Sequence, residues 1–247
     1  MLPYVNDVVI SAHRGDRAYF PENTMPAFRS AIQKGADMIE TDVHITADGE
    51  SVIIHDHEVN GRRIHLYTYR ELRRCKPDIV TLQEVLDLYA DHPQLLLNLE
   101  LKDFPEEIGE LAMVSAKKAL AMLDRYDMFA RTVVNSVSGG MGEVNEWIWQ
   151  AYGQAVRLHA YAQMVTPAGH PTSLYPTSYC SFCYLWLGRT QTQWIEEIRK
   201  LGLEAWTCYG TDRAALIDEA VAAGAKVILT DDPAAVREML IRKKLHR

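Results

Sequence analysis

The sequence predicts a single domain with the α/β architecture of a TIM (β/α)8 barrel. The chain has 247 residues, of which 48% are hydrophobic, and this is the size of one such barrel. Strand-like and helix-like segments alternate along it, which is typical of parallel strands joined by helical crossovers. No Gly/Ser-rich or Pro-rich linker divides the sequence. We therefore expect residues 1–247 to form one domain.

The first half is predicted to hold four strands with their helices. A helix at Thr24 to Lys34 is capped by Asn23 or Thr24 and stops at Gly35. Thr81 and Glu84 form a capping box that opens another helix. A further helix follows the fourth strand, at Pro105 to Leu123. The predicted strands are Val8 to Gly15, Met38 to Val43, Ser51 to Asp56 after the Asp48-Gly49 turn, and Leu95 to Asp103.

The second half continues the alternation with five more strand candidates. They are Thr132 to Val137, Gln154 to His159, Tyr179 to Tyr184, Glu204 to Cys208 and Lys226 to Asp231. Helices are predicted near Gly142 to Trp149, Thr192 to Leu201, Arg213 to Ala223, and after Asp232, which caps the last one. The sequence thus offers nine strands where a barrel needs eight. We expect one of the weaker candidates, Gln154 to His159 or Tyr179 to Tyr184, to be wrong.

Composition excludes several classes of function. The net charge is −7 and Lys and Arg do not cluster, so no nucleic-acid partner is predicted. No apolar run approaches the roughly 18 residues of a membrane span. The first residues lack the basic start and apolar core of a secretory signal, so a cytoplasmic protein is expected. Cys180 and Cys183 form a C-x-x-C, but without a second pair we expect inert, buried thiols. The sequence leaves a homo-oligomer open.

Charged side chains recur within the strands and at their carboxyl ends. Side chains alternate in a strand, so Glu40 and Asp42 of MIETDV share one face. In LLLNLELK the same alternation directs the leucines towards the helices and Asn98, Glu100 and Lys102 into the barrel. Polar side chains at the carboxyl ends of barrel strands lie where TIM-barrel active sites are built. The sequence therefore predicts a polar site at this mouth.

Two further strands contribute to the same mouth. VVISAHRG ends in His13 and Arg14, and SVIIHD ends in His55 and Asp56. Carboxylates that lie close together repel one another unless a cation, a shared proton or open water reduces the repulsion. For Glu40, Asp42 and Glu100, the simplest explanation is a hard divalent cation such as Ca²⁺ or Mg²⁺. Ion pairing of the three acids with Arg14 and Lys102 alone is the alternative. Those two cations suit a phosphate, and the two histidines suit general acid and base.

These residues resemble a known family. The pattern HRG-x5-PENT-x2-AF-x3-I-x2-GADMIETDV-x2-TADG-x2-VIIHD, followed by LELK, is similar to the glycerophosphodiester phosphodiesterases, phospholipase-C-like enzymes with a TIM barrel. The resemblance is dense from His13 to Asp56 and returns at Trp206-Thr207 and LTDDP. The family's longer segment after HD is replaced here by the short HDHEVNGRRIHLYTYRELRR, so the range of substrates is left open.

The resemblance implies metal-dependent hydrolysis of glycerophosphodiesters to sn-glycerol 3-phosphate and an alcohol. By position, His13 and His55 would be acid and base, in an order that the sequence does not assign, and the metal would polarise the phosphoryl oxygens. The acids Glu40, Asp42 and Glu100 would hold the metal, and Arg14 and Lys102 would bind the phosphate. Trp206 would contact the substrate, with packing in the core as the alternative.

Two other functions are compatible with the same residues. One is a related phosphodiesterase acting on lysophospholipids, supported only by the aromatic stretch Tyr175 to Trp186. The other is a non-catalytic binder of phosphate esters, which would have no use for a paired acid and base. The sequence leaves open the alcohol and the choice between Ca²⁺ and Mg²⁺.

Overall fold

The computed structural model describes residues 2–135, 142–161, 177–181, 190–207 and 214–247. Its strands are β1 (Val9–His13), β2 (Met38–Ile45), β3 (Ser51–Ile53), β4 (Glu58–Val59), β5 (Arg62–Arg63), β6 (Val80–Thr81), β7 (Leu96–Leu101), β8 (Thr132–Asn135), β9 (Arg157–Tyr161), β10 (Thr177–Ser181), β11 (Glu204–Trp206) and β12 (Val227–Thr230). Its helices are α1 (Met25–Gln33), α2 (Tyr69–Cys75), α3 (Leu82–Ala90), α4 (Pro105–Ile108), α5 (Glu110–Arg125), α6 (Gly142–Tyr152), α7 (Gln191–Lys200), α8 (Ala214–Ala223) and α9 (Pro233–Arg242).

Eight parallel strands close into a barrel. They follow one another in the order β1, β2, β7, β8, β9, β10, β11 and β12, and every neighbouring pair is parallel. The last strand pairs with the first, where Val9 lies beside Val227. Helices connect consecutive barrel strands, as is usual for parallel pairing, in every connection that the structure describes; residues 162–176, between β9 and β10, lie outside the described part of the chain. The predicted TIM barrel is thus confirmed.

The surplus strand is not one of the two weaker candidates. The run Ser51 to Asp56 forms β3, which turns back antiparallel to β2 and places Ile53 beside Val43. Both weaker candidates are barrel strands, β9 and β10. A buried apolar run looks the same whether it pairs parallel or antiparallel, so SVII alone does not reveal its direction. The predicted origin of His55 at the tip of a barrel strand is wrong for this reason.

The core lies in two layers, outside and inside the barrel wall. Outside, Leu97, Leu99 and Leu101 are fully buried in a cluster with apolar residues of α3 and α5, as their alternation predicts. Inside, apolar side chains fill the barrel floor. They come from the first or second residue of their strands at Val9, Met38, Leu96, Val133 and Val227, and from the last residue of β11 at Trp206. The polar residues of the same strands lie further along, towards the carboxyl ends. The floor is therefore apolar and the mouth polar.

The predicted starts of two helices and the state of the cysteines can be compared with the structure. Thr24 is the N-cap of α1, and Thr81 with Glu84 forms the predicted capping box of α3. Cys75 is exposed at the end of α2. Cys183 and most of the stretch 167–186 lie outside the described residues. In the described part of the chain no helix has the length and apolar character needed to cross a membrane.

Candidate active site

Three acidic side chains meet inside the barrel mouth. Glu40 and Asp42 share one face of β2, and Glu100 lies beside Asp42 on β7. A carboxylate oxygen from each lies within 4.8 Å of the others. All three side chains are buried. We call Glu40, Asp42 and Glu100 the carboxylate triad.

Two cations contact this triad directly. The Lys102 ammonium is 2.5 Å from Glu100 Oε1 and 3.4 Å from Asp42 Oδ1. The guanidinium of Arg14 reaches Asp42 Oδ2 from the opposite side, with Nε at 3.3 Å. Arg14 adopts a left-handed backbone conformation with φ of 56°, and its N–H donates to Glu40 Oε2. The site thus holds three acids and two fixed cations.

The pKa values of Glu40 and Asp42 are shifted in opposite directions within this site. Burial and the neighbouring Asp42 and Glu100 carboxylates raise the pKa of Glu40 well above its usual value. Burial also raises the pKa of Asp42, but Lys102, Arg14 and the Asn23 amide lower it further, so that its net direction is downward. Without a bound cation, Glu40 is therefore the acid that most favours its protonated form.

Asn23 fixes the geometry of the triad. Its side-chain amide donates to Asp42 Oδ2 at 2.9 Å and accepts from the Thr41 hydroxyl at 2.7 Å. Its backbone has a left-handed φ of 58°, which asparagine tolerates better than most residues. The PENT motif thus supports the site in addition to opening α1, whose cap is Thr24.

His13 is oriented by a carboxylate from the last barrel strand. Its Nδ1 lies 2.7 Å from Oδ1 of Asp231, which directly follows β12. Burial lowers the pKa of His13 more than the Asp231 hydrogen bond raises it. Arg17 lies alongside, with Nη1 at 3.2 Å from His13 Nδ1 and 3.6 Å from Asp231 Oδ1. The Asp231 carboxylate thus fixes the orientation of the His13 ring through Nδ1.

His55 reaches the mouth from a different direction. It follows β3, and the N–H of the preceding Ile54 donates to the Asp42 carbonyl, so the returning strand brings His55 beside the triad. Its Nδ1 is 3.0 Å from Asp56 Oδ1, and about a third of the side chain is exposed. The charge of His55 also contributes to lowering the pKa of Asp42. The two histidines therefore approach the triad from different elements.

Trp206 packs among the apolar residues inside the barrel and against His159. In the sheet, Trp206 is paired with Val227, a residue of the barrel floor. Its side chain is 2% exposed and stacks on the His159 ring, with ring centroids 4.8 Å apart. Its indole N–H donates to Glu204. This burial agrees with packing in the core, and contact of Trp206 with the substrate stays a prediction.

Asp231 and Arg17 belong to this site, although the sequence pattern gave them no role. The LTDDP motif marked the strand end at Asp231, but nothing in it indicated a histidine partner. Arg17 lies within the variable five residues between HRG and PENT. The proximity of Asp231 to His13 depends on the closure of the barrel, whereas Arg17 is only four residues from His13 along the chain.

The triad has the donor set of a hard divalent cation. Three carboxylates offer only oxygen, which is the ligand type that Ca²⁺ and Mg²⁺ take. Asp42 Oδ1 is buried and accepts no hydrogen bond from the described residues. A divalent cation bound there would more than offset the net charge of −1 that the three acids and two fixed cations carry together. The residues present therefore fit a divalent metal.

The sequence also matches known proteins. Residues 13–140 match the model of the glycerophosphoryl diester phosphodiesterase family. A glycerophosphodiester phosphodiesterase of Bacillus altitudinis is 39% identical over 110 residues, which are 38% of this chain and 45% of that protein. One of Caldanaerobacter subterraneus is 27% identical over 95% of this chain and 98% of its own length.

A solved structure has the same fold. The phosphodiesterase of Oleispira antarctica, determined in complex with the product sn-glycerol-3-phosphate, superposes with a TM-score of 0.77 at 18% identity, over 94% of this chain and 96% of that one. The family model covers more than half of the chain, from the first motif histidine through the triad. The chain belongs to the glycerophosphoryl diester phosphodiesterase family.

Proposed function

We propose that the protein hydrolyses glycerophosphodiesters to sn-glycerol 3-phosphate and an alcohol, using a divalent cation held by Glu40, Asp42 and Glu100. The observation that carries this proposal is the buried carboxylate triad with two cations and two histidines around it. Family membership and the product complex of the Oleispira antarctica protein agree with it. Either Ca²⁺ or Mg²⁺ suits three carboxylates.

The fixed cations would bind and orient the substrate phosphate. Arg14 and Lys102 lie on opposite sides of Asp42, so both can approach a phosphoryl group that enters above the triad. The arginine fork suits two phosphate oxygens, and the lysine acts as a point charge. A bound cation would add Lewis-acid polarisation of the phosphoryl oxygens.

The two histidines would transfer the protons of the reaction. One removes a proton from the attacking hydroxyl, which belongs to water or to the neighbouring position of the glycerol. In the second case the attack forms a cyclic phosphate, which water then opens to sn-glycerol 3-phosphate. The other gives a proton to the leaving alkoxide, which departs as the alcohol. Because Asp231 engages Nδ1 of His13, the transfer at His13 would take place at Nε2.

The direct test measures glycerol 3-phosphate released from a panel of glycerophosphodiesters. We expect release by the wild type that EDTA abolishes and that Ca²⁺, Mg²⁺ or Mn²⁺ restores. His13→Ala and His55→Ala should each lower kcat by about 10²- to 10⁴-fold, the usual contribution of general acid–base catalysis. Binding of the diesters without release, by folded and cation-loaded protein, would favour the non-catalytic binder.

A further inference from the structure

A second arginine, Arg17, lies beside His13 at the barrel mouth. It belongs to the loop between β1 and α1, within the five variable residues that separate HRG from PENT. Its side chain is 32% exposed, whereas that of Arg14 is 13% exposed. Arg17 is therefore a feature of this chain's own loop, at the rim of the proposed catalytic centre.

The backbone on both sides of Arg17 is hydrogen-bonded to the rest of the fold. The Asp16 N–H donates to the carbonyl of Ala27 in α1 at 3.1 Å. The Ala18 N–H donates to the carbonyl of Asp231, at the end of the last barrel strand, also at 3.1 Å. The side chain of Arg17 thus starts from a fixed place next to Asp231.

The guanidinium of Arg17 lies between two carboxylates. Its Nε is 3.4 Å from Glu22 Oε2, and its Nη1 is 3.6 Å from Asp231 Oδ1. Glu22 also contacts Arg14, through Oε1 at 3.0 Å. A continuous row of contacts therefore joins the arginine proposed to bind phosphate to the carboxylate that orients His13.

The distances around His13 Nδ1 determine how Arg17 can act. Asp231 Oδ1 is 2.7 Å from this nitrogen, and Arg17 Nη1 is 3.2 Å from it. A carboxylate oxygen at 2.7 Å requires a proton on Nδ1, because two acceptors at this distance repel each other. A protonated Nδ1 cannot accept a hydrogen bond from Arg17, so Arg17 acts on His13 through Asp231.

The charges support this arrangement. Burial raises the pKa of Asp231, but the hydrogen bond and charge of His13 and then the charge of Arg17 lower it further, so that its net direction is downward. Asp231 therefore stays ionised, which is the state that orients a histidine through Nδ1. Because the Asp231 side chain is 33% exposed, loss of Arg17 would leave the carboxylate free to turn towards water.

We propose that Arg17 is a positioning residue, which holds the Asp231 carboxylate against His13 and so keeps the His13 ring in its reactive orientation. This inference rests on the proposed hydrolysis and adds a residue to it. Because Arg17 acts through Asp231, its loss should slow the chemical step more than it weakens substrate binding.

The test compares Arg17→Gln with the wild type on the glycerophosphodiester that the wild type hydrolyses best. We expect kcat to fall by about 5- to 30-fold while KM changes by less than about twofold. Arg17→Lys, which keeps the charge, should recover part of the loss. Arg29→Gln, at an exposed arginine of α1, is the matched control and should leave both constants unchanged.

A double substitution tests whether Arg17 acts through Asp231. Once Asp231→Asn has removed the carboxylate, adding Arg17→Gln should lower kcat further by less than about twofold. Losses that multiply in the double variant would overturn the positioning role. So would an Arg17→Gln enzyme with the kcat of the wild type.

If no diester is hydrolysed, the proposed function fails, and the ¹⁵N NMR signals of the His13 ring then test Arg17 separately. We expect the wild type to carry the proton on Nδ1, and Arg17→Gln to show a larger share of the form with the proton on Nε2. Identical His13 signals in the two proteins would overturn the positioning role.

Discussion

At the scale of single residues, the pairing of His13 with Asp231 could not be predicted from the sequence. The two residues are 218 positions apart, and only closure of the barrel between β12 and β1 brings them together. The triad was easier to predict, because Glu40 and Asp42 are two residues apart on one strand and alternation places them on the same face. Local periodicity predicts neighbours within an element, whereas partners across the barrel depend on tertiary structure.

Asp231→Asn should impair catalysis without unfolding the protein. The neutral amide orients the His13 ring less firmly than a carboxylate and does not stabilise its protonated form by charge, so we expect kcat to fall by about 10- to 1000-fold. Because the Asp231 hydrogen bond raises the pKa of His13, its loss should also shift the corresponding limb of the pH–rate profile to lower pH.

Asp232→Asn is the control for this substitution. Asp232 caps α9, so its replacement should change stability by less than about 1 kcal/mol and leave kcat unchanged. An Asp231→Asn enzyme with wild-type kcat and an unshifted profile would exclude a positioning role for Asp231.

At the scale of elements, the turn between β1 and α1 depends on Gly15. Its φ is +87°, and a Cβ built there would lie 2.8 Å from the backbone carbon and Cβ of Ala27. The sequence marks this glycine through HRG, but not the close approach of α1.

The hairpin formed by β2 and β3 shows a similar limit of prediction from sequence. The Asp48-Gly49 pair indicated a turn, and the run Ser51 to Ile54 still resembled a barrel strand.

Gly15→Ala should destabilise the protein more than Gly49→Ala. Both glycines have a positive φ, but nothing lies within 4 Å of a Cβ at Gly49. We expect a loss of about 1 kcal/mol for Gly49→Ala and of about 2 to 4 kcal/mol for Gly15→Ala, measured by urea unfolding. Equal losses would mean that contact with α1 does not constrain this turn.

At the scale of the whole molecule, burial of polar groups inside the barrel makes stability depend on pH. His159 lies inside the barrel, stacked on Trp206, and burial lowers its pKa to about 3. Folding therefore favours neutral His159. This stabilisation is complete above the unfolded pKa of about 6.5 and is lost as pH falls towards the folded value.

Replacing His159 should make the protein more tolerant of acid. Between pH 6.5 and 5 the wild type should lose about 2 kcal/mol of unfolding free energy that His159→Phe retains, measured by urea unfolding at both pH values. His65→Phe, at a partly exposed histidine, controls for the substitution itself. Parallel losses in wild type and His159→Phe would contradict this account.

The central claim is that one divalent cation balances the carboxylate triad, and Glu40→Gln tests it most directly. Because the folded pKa of Glu40 is raised, its contribution to the stability of the metal-free protein is present below the unfolded pKa of about 4.3 and is lost as pH rises. At neutral pH the substitution leaves two carboxylates facing Arg14 and Lys102. Metal-free Glu40→Gln should therefore be more stable than the wild type, by about 1 kcal/mol or more.

The decisive measurement is the unfolding temperature of both proteins at neutral pH, after EDTA and then with Ca²⁺, Mg²⁺ or Mn²⁺. At a cation concentration of about 100 times the Kd, the wild type should gain about 5 to 10 °C. Glu40→Gln should start higher and gain little. A wild type unaffected by any of these cations, or a Glu40→Gln variant that gains as much as the wild type, would contradict the assignment of the triad as a metal site.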